Sequence, residues 1–202
     1  MATLETSEVR SSQEKRLAAP TGLVLLGWLA MLVALAGVAG SLYLSIGMDL
    51  RACPLCFYQR TFVMSIFAVL ALGLLADRAR AGLLFLVCVP LAIGGLGVAA
   101  FHEYLVLSET LECPAGLWGV GSSPAQSLAL FALLTGVILL GARRSRHLTK
   151  LRGAGIVGGV ILGGVLAYGC IASSPPMPSA KPPDGKPLLT CQPVWRGEAA
   201  TP

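Results

Sequence analysis

The sequence predicts an all-α membrane protein, a bundle of four transmembrane helices with a fifth transmembrane helix appended. Three observations carry this. Hydrophobic residues make up 55% of the 202 positions and charged residues only 12%, too little charge to cover the surface of a soluble domain. The apolar residues gather into five runs, each near the ~20 residues a helix needs to cross a hydrocarbon layer of about 30 Å. The basic residues sit in short clusters between those runs. Despite a net charge of +5, that pattern fits membrane topology rather than a nucleic-acid surface.

The first run covers residues 21–46. Its small residues at 36–39 could suit a signal cleavage site. The apolar stretch is nevertheless longer than the 7–15 residues of a signal core, so it reads as an uncleaved helix. The second run covers about 57–76 and the third 81–101. The fourth, about 125–142, starts behind Pro124, and proline is tolerated in the first turn of a helix. The fifth, about 153–172, places Gly155, Gly159 and Gly163 at four-residue spacing, a pattern that permits close helix contact, here read as packing within the chain. From Ser173 onward the composition changes, and eight of the thirteen prolines lie in that tail. Such a segment favours extended chain and builds no core. The chain thus divides into an N-terminal segment 1–20, a four-helix domain 21–142, a basic loop and fifth helix 143–172, and a Pro-rich tail 173–202.

Lysine and arginine set the orientation. With the N-terminus inside, the inner segments carry Arg10, Lys15, Arg16, Arg78, Arg80, Arg143, Arg144, Arg146, Lys150 and Arg152. The outer segments hold Arg51, Arg60, Lys181, Lys186 and Arg196. Ten against five predicts an N-terminus in the cytoplasm and a C-terminus outside.

Six cysteines stand at 53, 56, 88, 113, 170 and 191, too few for a disulfide scaffold, and a single CxxC is half a zinc site. In this topology Cys53-Pro54-Leu55-Cys56, the loop with Cys113 and the tail with Cys191 share the outer compartment, where disulfides persist. Cys88 falls mid-span, as core packing, and Cys170 near the outer end of the fifth helix. Cys53 and Cys56 open the second helix at the membrane surface. Two intervening residues allow a small, reducible disulfide ring, and the helix N-terminus lowers the pKa of a nearby thiol. Arg60 is one turn beyond Cys56 on the same face. A guanidinium at the rim of a bilayer is costly unless it has a partner or a function. Arg60 could stabilise a Cys56 thiolate, donate to a cofactor carbonyl, or merely snorkel to the headgroups.

The stretch Ser41-Leu42-Tyr43-Leu44 through Ala52-Cys53-Pro54-Leu55-Cys56-Phe57-Tyr58-Gln59-Arg60 resembles the signature of the DsbB family of disulfide bond formation proteins, with the resemblance covering residues 25–142. It implies a quinone-dependent thiol oxidase of the bacterial inner membrane. Such an enzyme passes electrons from a periplasmic thioredoxin-like (DsbA-type) dithiol protein to ubiquinone or menaquinone. By that resemblance Cys53 and Cys56 form the inner redox pair, Cys56 faces the quinone with its thiolate supported by Arg60, and Arg60 and His102 bind the quinone. No metal is implied.

The chain departs from the family at the outer pair. The resemblance implies two cysteines in the loop between the third and fourth helices, yet that loop, 102–124, contains only Cys113. The tail brings Cys191 to the same side. Cys113 with Cys191 is therefore the expected outer pair, with Cys191 facing the partner and Cys113 nearer the bundle; Cys170 is the rival. A vitamin K epoxide reductase-like enzyme also joins a CxxC to loop cysteines, but there the CxxC comes after them. A non-catalytic metal-binding membrane protein could use the CPLC sulfurs as soft ligands, although the sequence offers no further His or Cys at ligand spacing near the outer face.

Overall fold

The computed structural model of the chain describes residues 21–145, 149–177 and 184–196. The N-terminal segment 1–20, Arg146, and tail residues Pro178, Lys181, Pro182 and Pro183 lie outside the described residues. Among those described, five helices are long and apolar enough to cross a membrane, and they are the five expected.

Helix α1 (Thr21–Leu42) ends in a single widened turn, Tyr43–Gly47. Helix α2 (Pro54–Ala76) starts at Pro54, whose fixed φ suits a first helical position and whose missing N–H is not needed there. A short 3-10 turn, Arg78–Arg80, leads into α3 (Ala81–Leu107). Helix α4 (Ser123–Arg144) is capped by Ser122, whose hydroxyl accepts from the Ala125 N–H at 3.2 Å. Helix α5 (Thr149–Ala172) follows.

Helices α2 to α5 are longer than their apolar runs at one end or both, and α3 most of all. It runs six residues past the expected end at 101, because Glu103 and Tyr104 interrupt the hydropathy without interrupting the helix. The loop to α4 is correspondingly shorter, and His102 lies inside a helix rather than at its solvated end.

Helices α1 to α4 close into a bundle, α1 packing on α2 and α4, and α3 on the same two. Phe85, Phe131, Ile66, Leu70, Leu134 and Ile138 fill its centre. Large apolar residues such as Leu25, Leu72, Leu75 and Ile161 point outward, which is expected where the solvent is lipid.

Helix α5 lies outside the bundle against α3, where Pro90 interrupts the helical hydrogen bonding. A Cβ at Gly163 would stand 2.7 Å from the Pro90 carbonyl oxygen, and one at Gly159 2.9 Å from Val89. Two of the three spaced glycines therefore permit this contact. Gly155 faces only Leu86 at an ordinary 3.6 Å.

The tail returns over the end of the bundle at which α2 begins. Strand β1 (Leu111–Glu112) pairs antiparallel with β2 (Gln192–Pro193) in the register Leu111 to Pro193. The Arg51 N–H donates to the Leu189 carbonyl at 2.8 Å. A segment built of prolines has few donors to offer, so its docking depends on these few backbone bonds and on one covalent link, Cys113–Cys191.

Candidate active site

The start of α2, the last turns of α3, the loop after it and the tail meet at one end of the bundle and bring five sequence-predicted residues, Cys53, Cys56, His102, Cys113 and Cys191, into one cluster. Cys53 is the N-cap of α2, and its sulfur accepts from the Cys56 N–H at 3.3 Å. The two sulfurs are 3.0 Å apart and hydrogen-bonded. Cys113 and Cys191 are joined in a disulfide across 78 positions, which leaves Cys170 and Cys88 as free thiols. The inner pair is thus a dithiol while the outer pair is oxidised.

His102 is fully buried and stands between the pairs. Its Nε2 lies 3.8 Å from the Cys53 sulfur and 3.5 Å from the Cys113 sulfur. Its Nδ1 meets the Gln59 side-chain nitrogen at 3.3 Å, and the Gln59 carbonyl accepts from the Ser127 hydroxyl at 2.6 Å. Because Ser127 donates to the Gln59 oxygen, the Gln59 nitrogen donates to Nδ1, and the ring proton sits on Nε2, facing sulfur.

This environment selects Cys53 as the thiolate. The Cys56 thiol beside it lowers its pKa most, burial opposes, and His102 lowers it further, with a net value of about 5 against an ordinary 9. The sequence had suggested Cys56 as the thiolate. The helix end favours Cys53 because its sulfur, as N-cap, receives both the backbone N–H and the His102 contact.

The outer pair is also turned round relative to expectation. Cys191, expected to be the mobile partner-facing sulfur, is 2% exposed, and its sulfur lies within 4.8 Å of those of Cys53 and Cys56. Cys113 is only half-buried. Strand pairing explains this, since residues preceding β2 are drawn inward against α2.

Arg60 lies on α2 one turn below Cys56. Its Nε donates to Ser41 Oγ at 2.8 Å, and Nη2 donates to the Ser41 carbonyl at 3.0 Å and Ser45 Oγ at 2.5 Å. Nη1 has no hydrogen-bond partner among the described residues. Arg60, Cys56 and Cys191 line a cavity of about 160 Å³ between α1, α2 and α4, whose further walls include Gly37, Val63 and Leu130. His102 is not part of its lining; it is on the far side of the cysteine pair, against Cys53.

Sequence reasoning missed Gln59 and Ser127. The available signal was a Gln and a Ser within apolar spans, where a polar side chain needs a partner. It also held that the outer face lacks a set of metal-type ligands. Folding brings Cys53, Cys56, His102 and Cys191 to within 4.8 Å of one another, because the four arrive from three separate segments.

The loop over the cavity is held by Gln126. Its carbonyl accepts from the Leu117 N–H at 2.8 Å, and its amide donates to the Leu117 and Val120 carbonyls at 3.0 and 2.7 Å. Ser122, besides capping α4, donates to Glu103 at 3.3 Å.

Residues 24–132 match the model of the family described as disulfide bond formation protein DsbB. The matched stretch contains Cys53, Cys56, Arg60, His102 and Cys113, and stops short of α5 and Cys191. The chain is similar to Disulfide bond formation protein B of Burkholderia thailandensis, with 39% identity over 93 residues, 45% of this chain and 52% of that one. It is also similar to Disulfide bond formation protein B 1 of Pseudomonas fluorescens, with 33% identity over 106 residues, 52% and 57% respectively. The chain spans about half the length of the curated relatives it matches, and no solved structure matches it. With the family match carrying the CPLC motif, Arg60 and His102, this five-helix multi-pass membrane protein belongs to the DsbB family.

Proposed function

We propose that this chain is a quinone-dependent membrane thiol oxidase that reoxidises a thioredoxin-like dithiol protein outside the bacterial inner membrane. Its N-terminus is cytoplasmic and its C-terminus periplasmic. The observation that carries the reading is the contact between two cysteine pairs, one at the loop surface and the other on a cavity wall, within 4.8 Å across Cys191.

Thiol exchange needs a thiolate in line with a disulfide and a stabilised leaving thiolate. The partner's dithiol attacks Cys113, the more exposed sulfur. The partner leaves as a disulfide, and Cys113 and Cys191 become thiols. The Cys191 thiolate then attacks Cys53 of an oxidised inner pair, and Cys56 leaves as a thiol. Cys113 next attacks Cys191, restoring the outer disulfide and expelling Cys53 as the thiolate. His102 Nε2–H donates to that departing sulfur.

The cavity suits a quinone ring. Its walls are apolar, and its polar end offers the Cys56 sulfur and the unpartnered Nη1 of Arg60, a cationic donor matched to a carbonyl oxygen. When bound, a quinone supplies an acceptor for two electrons and two protons. Arg60, fixed by Ser41 and Ser45, would hold its carbonyl, and Cys56 is the inner sulfur exposed to it. Return of the Cys53 thiolate and the Cys56 thiol to the disulfide releases those two electrons and one proton, and the second proton is drawn from solvent, where the exchange with the partner's dithiol released it.

The test is anaerobic reduction of ubiquinone and menaquinone by a reduced thioredoxin-like protein. Cys56→Ser, Cys113→Ser and Cys191→Ser are each expected to abolish turnover. Full activity in Cys191→Ser would remove the tail from the relay and sink the proposed path.

A further inference from the structure

We propose that the fully reduced protein holds a zinc-class d10 cation between Cys53, Cys56, His102 and Cys191, a Cys3His site that the outer disulfide keeps incomplete. The donor atoms of these four lie within 4.8 Å of one another. Zinc–sulfur and zinc–nitrogen bonds of ~2.3 and ~2.0 Å place the corners of a tetrahedron about 3.5–3.8 Å apart. Cys53 and His102 are already 3.8 Å apart, and the Cys53 and Cys56 sulfurs need to open only from 3.0 Å. Small movements therefore complete the geometry.

The surroundings fit a metal as well. Three of the four ligands are buried and the fourth half-buried, so solvent competes weakly. Three thiolates and a divalent ion leave one negative charge. The N-terminus of α2 and the Arg60 guanidinium beside Cys56 offset it. His102 has an outer partner of the kind metal-bound histidines use: when Nε2 binds the ion, Nδ1–H needs an acceptor, and the Gln59 amide provides one by turning its carbonyl to it. Ser127 then accepts from the Gln59 nitrogen.

Redox state gates the site. With Cys113 and Cys191 bonded, three donors remain, and the disulfide sulfur of Cys191 is a poor fourth. Reduction of that bond frees the Cys191 thiolate and completes the set. Binding displaces thiol protons and transfers no electrons. It also occupies both inner sulfurs, so a loaded protein cannot re-form the Cys53–Cys56 disulfide. Soft cations in the outer compartment would thus arrest the protein in its reduced form.

The test uses the full chain in detergent, reduced anaerobically and freed of reductant, titrated with Zn²⁺ against a chromophoric chelator and separately with Co²⁺. One ion per chain is expected, with the intense ligand-field bands of tetrahedral, thiolate-bound cobalt. X-ray absorption of the zinc form should report three sulfurs and one nitrogen. Since loss of an outer partner alone costs ~10–100-fold in affinity, Cys191→Ser should weaken binding by at least about tenfold. Cys88→Ser and Cys170→Ser should leave it unchanged, and the form with both disulfides should bind none. Absence of binding by the reduced wild type, two-sulfur coordination, or loss of binding in Cys170→Ser would each overturn the proposal. Quinone and partner protein are absent from these measurements, so their outcome is independent of the oxidase reading.

Discussion

The Gln59 side-chain nitrogen lies 3.3 Å from Nδ1 of His102, and both residues are buried at the meeting of α2 and α3. This contact determines which ring nitrogen carries the proton, and so whether His102 offers sulfur a donor or a lone pair. Gln59→Leu removes the constraint at nearly constant volume. An unpaired buried nitrogen costs about 1–3 kcal/mol. Exchange between the two cysteine pairs is expected to slow about tenfold, read by rapid mixing of the fully oxidised protein with a reduced thioredoxin-like protein and timed trapping of the Cys53 and Cys56 thiols. An unchanged rate would mean that the tautomer is irrelevant to exchange.

The acidity of Cys53 gives a pH signature. Its alkylation, followed by peptide mass spectrometry, should hold nearly constant between about pH 7 and pH 6 and fall by half near pH 5. Cys56→Ala should move that midpoint upward more than His102→Ala does, because the neighbouring thiol is the larger cause. The depressed value also stabilises the folded dithiol form. That contribution is complete above the ordinary value of 9 and is lost as pH falls toward 5.

Arg60→Met removes the three hydrogen bonds to Ser41 and Ser45 together with the cationic donor in the cavity. The quinone KM should rise at least about tenfold, since a charge-assisted bond contributes ~1.5–3 kcal/mol. Exchange between the cysteine pairs should be untouched. A change confined to exchange would place the role of Arg60 on the sulfurs instead.

Gly163→Val drives two methyl groups into Ile93 and the Pro90 carbonyl. Overpacking of this kind costs typically ~1–3 kcal/mol. The thermal midpoint should fall, with α5 displaced from α3, whereas Gly155→Val, facing open contact with Leu86, should be nearly neutral. Equal effects would show that α5 is not seated through Gly163.

The five spans were legible because apolar runs near membrane length have few other uses, and the CPLC pair because its spacing and position at a helix start are local. Two things were not. The Ser127–Gln59–His102 chain joins residues 68 and 43 positions apart, and whether they meet depends on the rotation of three helices about their own axes, which an almost uniformly apolar sequence leaves unmarked. The inward turn of Cys191 depends on a two-residue strand register, and shifting that register by one residue would reverse it. The pairing of Cys113 with Cys191 rather than Cys170 follows from the same strand contact.

The bond between Cys113 and Cys191 has a further consequence for the order in which the molecule is made. Cys113 leaves the ribosome ahead of α4 and α5, and its partner follows only after both have been threaded into the bilayer. Through that interval the outer bond cannot form, and the only neighbouring thiols are Cys53 and Cys56. A chain halted at 172 would contain all five helices and the CPLC pair, yet would lack the Cys191 wall of the cavity and the disulfide to Cys113. Formation of the Cys113–Cys191 bond therefore waits until the segment beyond α5 has been made.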